Sequence, residues 1–218
     1  MNGVDFLVDS LPVFWQGFRA TLLLAFASYA GALILGAILA VLRISPAAPA
    51  RAAGLAYVEW FRNVPLLVLM FVAILCLPKL GVRVSPFSSA LLVLVMYTAA
   101  QVCEALRAGI NSIARGQAEA GRALGLTFGQ NLRHVVLPQA ARTVVPPLGS
   151  IFIALVKNTA VASLIGVVEI TFQFGELARD APSQIMPLLI AIAVCYLIIT
   201  IPAGYAVARF ERRAAVAR

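Results

Sequence analysis

Two stretches of this chain carry no charged side chain at all, residues 21–42 and residues 185–208. Each is long enough to cross a hydrocarbon core of about 30 Å as an α-helix. The rest of the composition agrees. Of the 218 residues, 62% are hydrophobic and only 12% are charged, and the mean hydropathy is +0.96. A soluble domain carries roughly 25% charged residues to cover its surface. Much of this chain's surface must therefore face lipid. Neither run has the length or place of a removable secretory signal. The first residues carry Asp5 and Asp9 and no basic segment, so no cleavage is expected.

Hydropathy places five spans, at about 18–42, 64–77, 87–107, 144–168 and 185–208. The second is short. It reads either as the continuation of an amphipathic stretch over 54–61, kinked at Pro65, or as a re-entrant segment. The fourth opens on Pro146 and Pro147, residues that suit a helix beginning. The expected fold is an all-α membrane bundle in one domain, 1–218, with no repeat and no second domain.

The net charge of +8 would point to nucleic acid in a soluble protein. Here the basic residues set orientation instead. Arg43, Arg51, Arg62, Arg107, Arg115, Arg122, Arg133, Arg142, Arg209, Arg212, Arg213 and Arg218 fall on one side, against Arg19, Lys79, Arg83 and Arg179 on the other. The rich side is read as cytoplasmic, which puts the N-terminus outside and the C-terminus inside. Cys76, Cys103 and Cys195 lie in apolar runs and read as small buried hydrophobes. No metal site is expected. The one histidine, His134, is read as solvated or partner-facing.

Between spans 3 and 4, residues 108–143 form a loop far longer than the others. Long ordered loops are usually functional. Its segment from Glu119 to Leu126 reads as a short helix ended by Gly125, followed by a second helix from Phe128 stopped at Pro138. Glu119 is expected in the first helical turn, where it complements the dipole. Leu124, Leu126 and Phe128 cluster as an apolar knob. One reading is a helix resting on the bilayer surface. The other is a knob that docks into a cleft of a cytoplasmic partner and transmits its motion to the spans.

The spacing of Glu119, Ala120, Gly121, Gly125, Val135, Leu137 and Pro138 resembles the EAA loop of ATP-binding-cassette importer permeases. Gly121 stands for the usual alanine and is expected to loosen the first turn, since glycine costs about 1 kcal/mol in a helix. Val135 stands for isoleucine. Further motifs resemble the polar amino acid branch: Arg62-Asn-Val-Pro65-Leu66-Leu67-Val68, Glu104-Ala-Leu-Arg107-Ala-Gly109-Ile110, and Lys157-Asn158-Thr159 followed by Ala162 to Val167. Leu69 and Gln101 replace a common glutamine and tyrosine, so substrate choice differs if they line the pathway.

The resemblance implies a permease that is not itself an enzyme. Its partners would be a P-loop ATPase dimer carrying ATP and Mg, a second permease chain, the same or homologous, and an extracytoplasmic substrate-binding protein. The chain would bind no cofactor and no nucleic acid. This agrees with the absence of a Gly-x-x-x-x-Gly-Lys loop from the sequence. The ATPase-coupling residues would be Glu119, Ala120, Gly121, Leu124, Gly125, Leu126, Phe128, Leu137 and Pro138. Arg62, Pro65, Gln101, Glu104, Lys157, Asn158 and Thr159 are candidates for the substrate pathway.

Lys157 is placed about halfway along the fourth span, where a charge costs about 2.5–3.5 kcal/mol on insertion scales and requires a partner or a wet cavity. Two readings stand: an ion pair of Glu104 with Lys157 or Arg107, or Lys157 facing substrate. Glu169, Glu176 and Asp180 with Phe172 and Phe174 read as a solvated loop helix, or as a docking surface or outer gate. An intramembrane enzyme lacks a nucleophile–base set in this sequence. An ion-coupled carrier or channel remains the alternative function; such carriers usually show internal repeats and broken helices, and ionophores separate it from ATP-driven uptake.

Overall fold

The computed structural model describes residues 3–216; the side chains of Arg115, Ala118, Phe128, Leu132, Val136, Leu137 and residues 213–216 lie outside the described residues. The described chain is helical, with α1 (Gly3–Asp9), α2 (Leu11–Ile44), α3 (Ala48–Asn63), α4 (Leu66–Cys76), α5 (Pro86–Asn111), α6 (Arg115–Ala123), α7 (Phe128–Asn131), α8 (Leu137–Asn158), α9 (Ile170–Asp180) and α10 (Ile185–Val216). A π turn over Leu132–Val136 joins α7 to α8, and a 3-10 segment over Thr159–Ile165 follows α8. Four helices are long and apolar enough to cross a membrane. Together α3 and α4, bent by 101° at their junction, pass the same test as a pair, as one broken span or a re-entrant segment.

That bend has a local cause. The residue before a proline is pushed out of the helical region. Val64 accordingly sits extended at φ −93° and ψ 129°, and Pro65 opens α4. The junction is therefore a break between two helices, sharper than the kink expected within one.

Helices α2, α5 and α10 contain the first, third and fifth apolar runs, and each helix runs past the end of its run. The fourth span does not start where expected. Pro146 and Pro147 lie inside α8, which already begins at Leu137. Intrahelical prolines are tolerated in membrane helices because neighbouring helices support the backbone. Here α2 braces the region, with the Tyr29 hydroxyl donating to the Leu148 carbonyl at 2.9 Å. Nor does Pro138 stop a helix. It has no N–H for the His134 carbonyl, and its ring would crowd that group. The backbone widens into the π turn and continues helical, and the Gln139 side-chain amide donates to the Val135 carbonyl at 2.9 Å.

The core forms along α2 and α5. Ala32, Leu39 and Ala40 of α2 meet Ala99, Ala100, Val102 and Cys103 of α5, with Val58 of α3 against them. Small residues let membrane helices approach closely. At Gly36 the approach is complete: a Cβ there would lie 2.5 Å from Val102 Cγ1 and 3.0 Å from the Ala99 carbonyl oxygen. A second cluster joins Leu24, Met70, Leu94 and Leu155 from α2, α4, α5 and α8. Outside this core, α10 exposes Ile190, Leu197, Ile198 and Ile201 as a lipid-facing stripe.

Candidate functional site

The loop between α5 and α8 folds as a short helical hairpin. Its first helix, α6, ends where the sequence says it should. Gly125 takes φ +81°, a left-handed conformation open to glycine at no steric cost. The Leu126 amide donates to the Gly121 carbonyl at 3.1 Å and the Gly125 amide to the Arg122 carbonyl at 2.9 Å. These are the paired bonds of a Schellman ending.

The next helix starts on a capping box that the sequence signals as Thr-x-x-Gln. The Gln130 amide donates to Thr127 Oγ1 at 3.4 Å, and the Thr127 amide donates to Gln130 Oε1 at 2.9 Å. Stop and start signals leave only Gly125 and Leu126 between the two caps, which holds the hairpin tight.

At the turn Leu124 is 83% exposed, and Leu126 is half-buried. A single exposed leucine is ordinary on a protein surface; this one sits on a turn that its own backbone bonds hold in place. The side chain of Phe128 and that of Leu137 lie outside the described residues. Two details differ from expectation. Glu119 is the fifth residue of α6, not in its first turn, and is exposed. Ala120 is exposed beside it and Pro138 is exposed at the other end of the loop.

Gly121 lies in the last turn of α6, not the first, and it is buried. A Cβ at 121 would lie 2.6 Å from Asn131 Oδ1 and 2.9 Å from its Cγ. The glycine thus admits the buried Asn131 side chain between the two arms of the hairpin. Gly121→Ala is expected to splay the hairpin in spite of its better helix propensity, at about 1–3 kcal/mol of overpacking. Limited proteolysis of the loop measures this: faster cleavage than wild type is the expected result, and Asn131→Gly in the same chain is expected to restore resistance.

At the arginine-rich ends of α2, α3 and α5, one carboxylate gathers three guanidinium groups. Glu104 pairs closely with Arg43, lies 3.0 Å from Arg107 Nη2 and 3.9 Å from Arg62 Nη1. Of the two partners expected for Glu104, Arg107 is found and Lys157 is not; no ion pair of Lys157 occurs among the described residues. Arg107 was legible because it stands at i+3 on the same helix. Arg43 was not, being 61 residues away on another helix.

Lys157 is in the last turn of α8, where the α-helix tightens into the 3-10 segment, and lies inside the apolar helical stretch Pro138–Ile165. Its side chain is exposed on the surface of the single chain, and Asn158 is half-buried. Thr159 points the other way. It is fully buried, and its hydroxyl donates to the Val156 carbonyl at 2.7 Å. Gln101 is half-buried on α5, and Pro65 is exposed at the break.

The structure also separates Glu169 from the acidic residues grouped with it as a solvated loop helix, or as a docking surface or outer gate. Glu169 is fully buried. It caps α9, accepting from the Phe172 amide at 2.8 Å, and accepts from the Tyr196 hydroxyl at 3.0 Å and Thr21 at 3.4 Å. Burial pushes its carboxyl above the usual carboxylate range, while the amides of Thr171 and Phe172 and the hydroxyls of Tyr196 and Thr21 pull it back. Glu176, by contrast, pairs with Arg179 on the open side of α9 at 2.9 Å.

Comparison with known proteins gives this architecture a place. Residues 32–216 match the family described as binding-protein-dependent transport system inner membrane component. The probable glutamine ABC transporter permease protein GlnM of Bacillus subtilis is 38% identical over 96% of this chain and 97% of its own length. The glutamate transport system permease protein GluC of Corynebacterium glutamicum is 36% identical over 94% of each. A solved structure of an amino acid ABC transporter with histidines superposes with a TM-score of 0.89 at 31% identity, covering 95% of this chain and 96% of that one. The inward-facing MetNI methionine ABC transporter, at 21% identity and a TM-score of 0.71, over 94% of this chain and 98% of that one, shares the fold. This chain is a multi-pass inner-membrane protein and belongs to the binding-protein-dependent transport system inner membrane components, the permease subunits of ABC transporters whose ATP hydrolysis resides in a separate subunit.

Proposed function

We propose that this chain forms the translocation pathway of an ATP-driven importer for polar amino acids. It pairs with a second permease chain, the same or homologous, above a P-loop ATPase dimer that carries ATP and Mg. An extracytoplasmic binding protein delivers the substrate. The arginine-rich ends of the helices face the cytoplasm, so the N-terminus lies outside, and residues 1–218 act as one permease domain. The observation that carries the coupling part is the hairpin of α6 and α7 with Leu124 at its tip, 83% exposed. Tight capping on both sides makes it a rigid lever between a partner surface and α5 and α8.

The names of the relatives support the substrate class: glutamine for one, glutamate for others. The exposed ammonium of Lys157, next to Asn158, offers a counter-charge and an amide to a substrate carboxylate. A single chain leaves that face of α8 uncovered, which fits a pathway completed by a second chain. Glu119, Ala120, Gly121, Leu124, Gly125, Leu126, Phe128, Leu137 and Pro138 then serve the ATPase contact. Arg62, Pro65, Gln101, Glu104, Lys157 and Asn158 serve the pathway and its inner end, with Thr159 as a buried support.

The test is uptake of labelled glutamine and glutamate into vesicles holding the chain with its partner ATPase and binding protein. ATP-dependent uptake that survives ionophores is expected, and Lys157→Met is expected to cut it by about tenfold or more, the loss of one charge-assisted hydrogen bond. Uptake that needs no ATP and stops with the ionophore would overturn the reading. Unchanged affinity and rate in Lys157→Met would remove that residue from the pathway.

A further inference from the structure

Glu169 does more than cap a helix. Capping needs one acceptor, and short side chains such as Ser, Thr, Asp and Asn serve it best. Glu169 spends one carboxylate oxygen on the Phe172 amide and turns the other toward Tyr196 of α10 and Thr21 of α2. Among the described residues no cation pairs with it. A buried carboxyl held only by neutral donors is costly to keep, and ionisable groups buried in membrane bundles mark function by default.

Its partners are themselves tied. Thr21 Oγ1 accepts from the Ile170 amide at 3.2 Å, and the Tyr196 hydroxyl bonds Thr171 Oγ1 at 2.9 Å. The α2 backbone comes in directly beneath: a Cβ at Gly17 would lie 3.0 Å from both the Glu169 carbonyl carbon and Ile170 Cα. Gln173, also buried, reaches Gln16 of α2 at 3.5 Å. The 3-10 segment that opens on Thr159 packs against α9. Thr159 is the buried residue that follows Lys157 and Asn158.

We propose that Glu169 is a positioning residue that, through Tyr196 and Thr21, locks the seat of α9 against α10 and α2 beside the 3-10 segment that follows Lys157 and Asn158, so that a contact made on α9 from outside is transmitted to the pathway. The inference rests on the importer reading above, which puts α9 at the extracytoplasmic end. The network supplies the physical link: one carboxylate and one phenol join α2, α9 and α10, the 3-10 segment packs against α9, and displacing any of the three helices breaks a bond inside the bundle.

Two measurements test it. The first uses the reconstituted complex and reads basal ATP hydrolysis against hydrolysis stimulated by the loaded binding protein. Glu169→Ala and Tyr196→Phe are expected to lower the maximal stimulation by about fivefold or more, in the range of one allosteric coupling, while basal hydrolysis stays within about twofold. Glu169→Gln, which keeps an acceptor for Phe172 and a polar group for Tyr196, is expected to restore most of it. A merely structural residue would lower basal and stimulated rates together. A mere docking residue would raise the binding-protein concentration required and leave the maximum unchanged. Either result overturns the proposal, as does full stimulation in Glu169→Ala.

The second measurement needs neither substrate nor ATPase. In a chain whose Cys76, Cys103 and Cys195 are replaced by serine, Asn158→Cys is labelled with a water-soluble maleimide. Glu169→Ala is expected to change the labelling rate by about fivefold, again the size of one coupling, while His134→Cys on the far loop keeps its rate. An unchanged rate at 158 overturns the lock even where the importer reading stands. A changed rate upholds it even where the uptake assay fails. Tyr196→Phe keeps the ring's packing and carries both tests if Glu169→Ala does not assemble.

Discussion

Glu104→Ala is expected to lower the stability of the permease by about 2–4 kcal/mol, somewhat below the cost of breaking a fully buried ion pair, because this one is partly buried. The size follows from where the charge sits. Glu104 is 23% exposed and Arg43 only 13%, so neither group recovers full hydration when the other is removed. Without the carboxylate, Arg43, Arg62 and Arg107 face one another across the ends of α2, α3 and α5 with no counter-charge. The helices that meet there also form the Ala–Cys core of the bundle, so the repulsion acts on the main helix pair. For a chain of this size the loss corresponds to a melting temperature lower by about 10 °C. Thermal unfolding in mild detergent, followed by size exclusion, measures it.

Arg62→Ala provides the contrast. Its guanidinium is 52% exposed and 3.9 Å from Glu104, a geometry worth about 0–1 kcal/mol. A melting temperature for Glu104→Ala close to that of Arg62→Ala would mean that the cluster is a solvated surface group and not a clasp.

How far these features were legible depends on how local they are. The charge-free runs gave the long spans because lipid solvates a whole helix face and leaves its mark over twenty residues. The Gly125 turn was legible because a helix ending is written in a few adjacent residues. The beginning of α8 was not. Gln139, Arg142 and Thr143 are polar, so hydropathy ends there, yet the backbone stays helical through them and through two prolines. Hydropathy reports the lipid boundary, and the helix ignores it. Lys157 shows the same limit. It is central in an apolar stretch, and only the tightening into the 3-10 segment puts it at a helix end.

Glu169 failed differently. Its local sequence is that of an amphipathic loop helix, and Glu176 and Asp180 behave as such. What buries Glu169 is Thr21, 148 residues away, and Gly17 beside it. Nothing within one turn of Glu169 carries that information. The same holds for Gly121, whose departure from alanine reads as a weakness in the helix until Asn131 is seen against it.

Leu124→Asp is expected to leave the melting temperature unchanged and to strip the ATPase from the complex. The two halves follow from one number. At 83% exposure Leu124 contributes little to the chain's own packing, and surface substitutions of that kind shift stability by about 0.5 kcal/mol or less. A partner that buries it loses an apolar anchor and gains a desolvated carboxylate. An interface hot spot is worth about 2 kcal/mol or more, roughly thirtyfold in affinity. Co-purification in mild detergent of the chain with its partner ATPase reads the effect.

Gly125→Pro reaches the same end by another route. Proline fixes φ near −65°, against +81° here, and has no N–H for the Arg122 carbonyl. The turn cannot form, so the leucine is present but misdirected. Glu119→Lys reverses an exposed charge on the same helix and is expected to weaken association without undoing the turn. If the ATPase stays bound to Leu124→Asp and to Gly125→Pro alike, the hairpin is not its seat, because one variant removes the anchor and the other the geometry that presents it. If Gly125→Pro alone releases it, the contact is made by the backbone shape of the hairpin and the leucine tip is incidental to it.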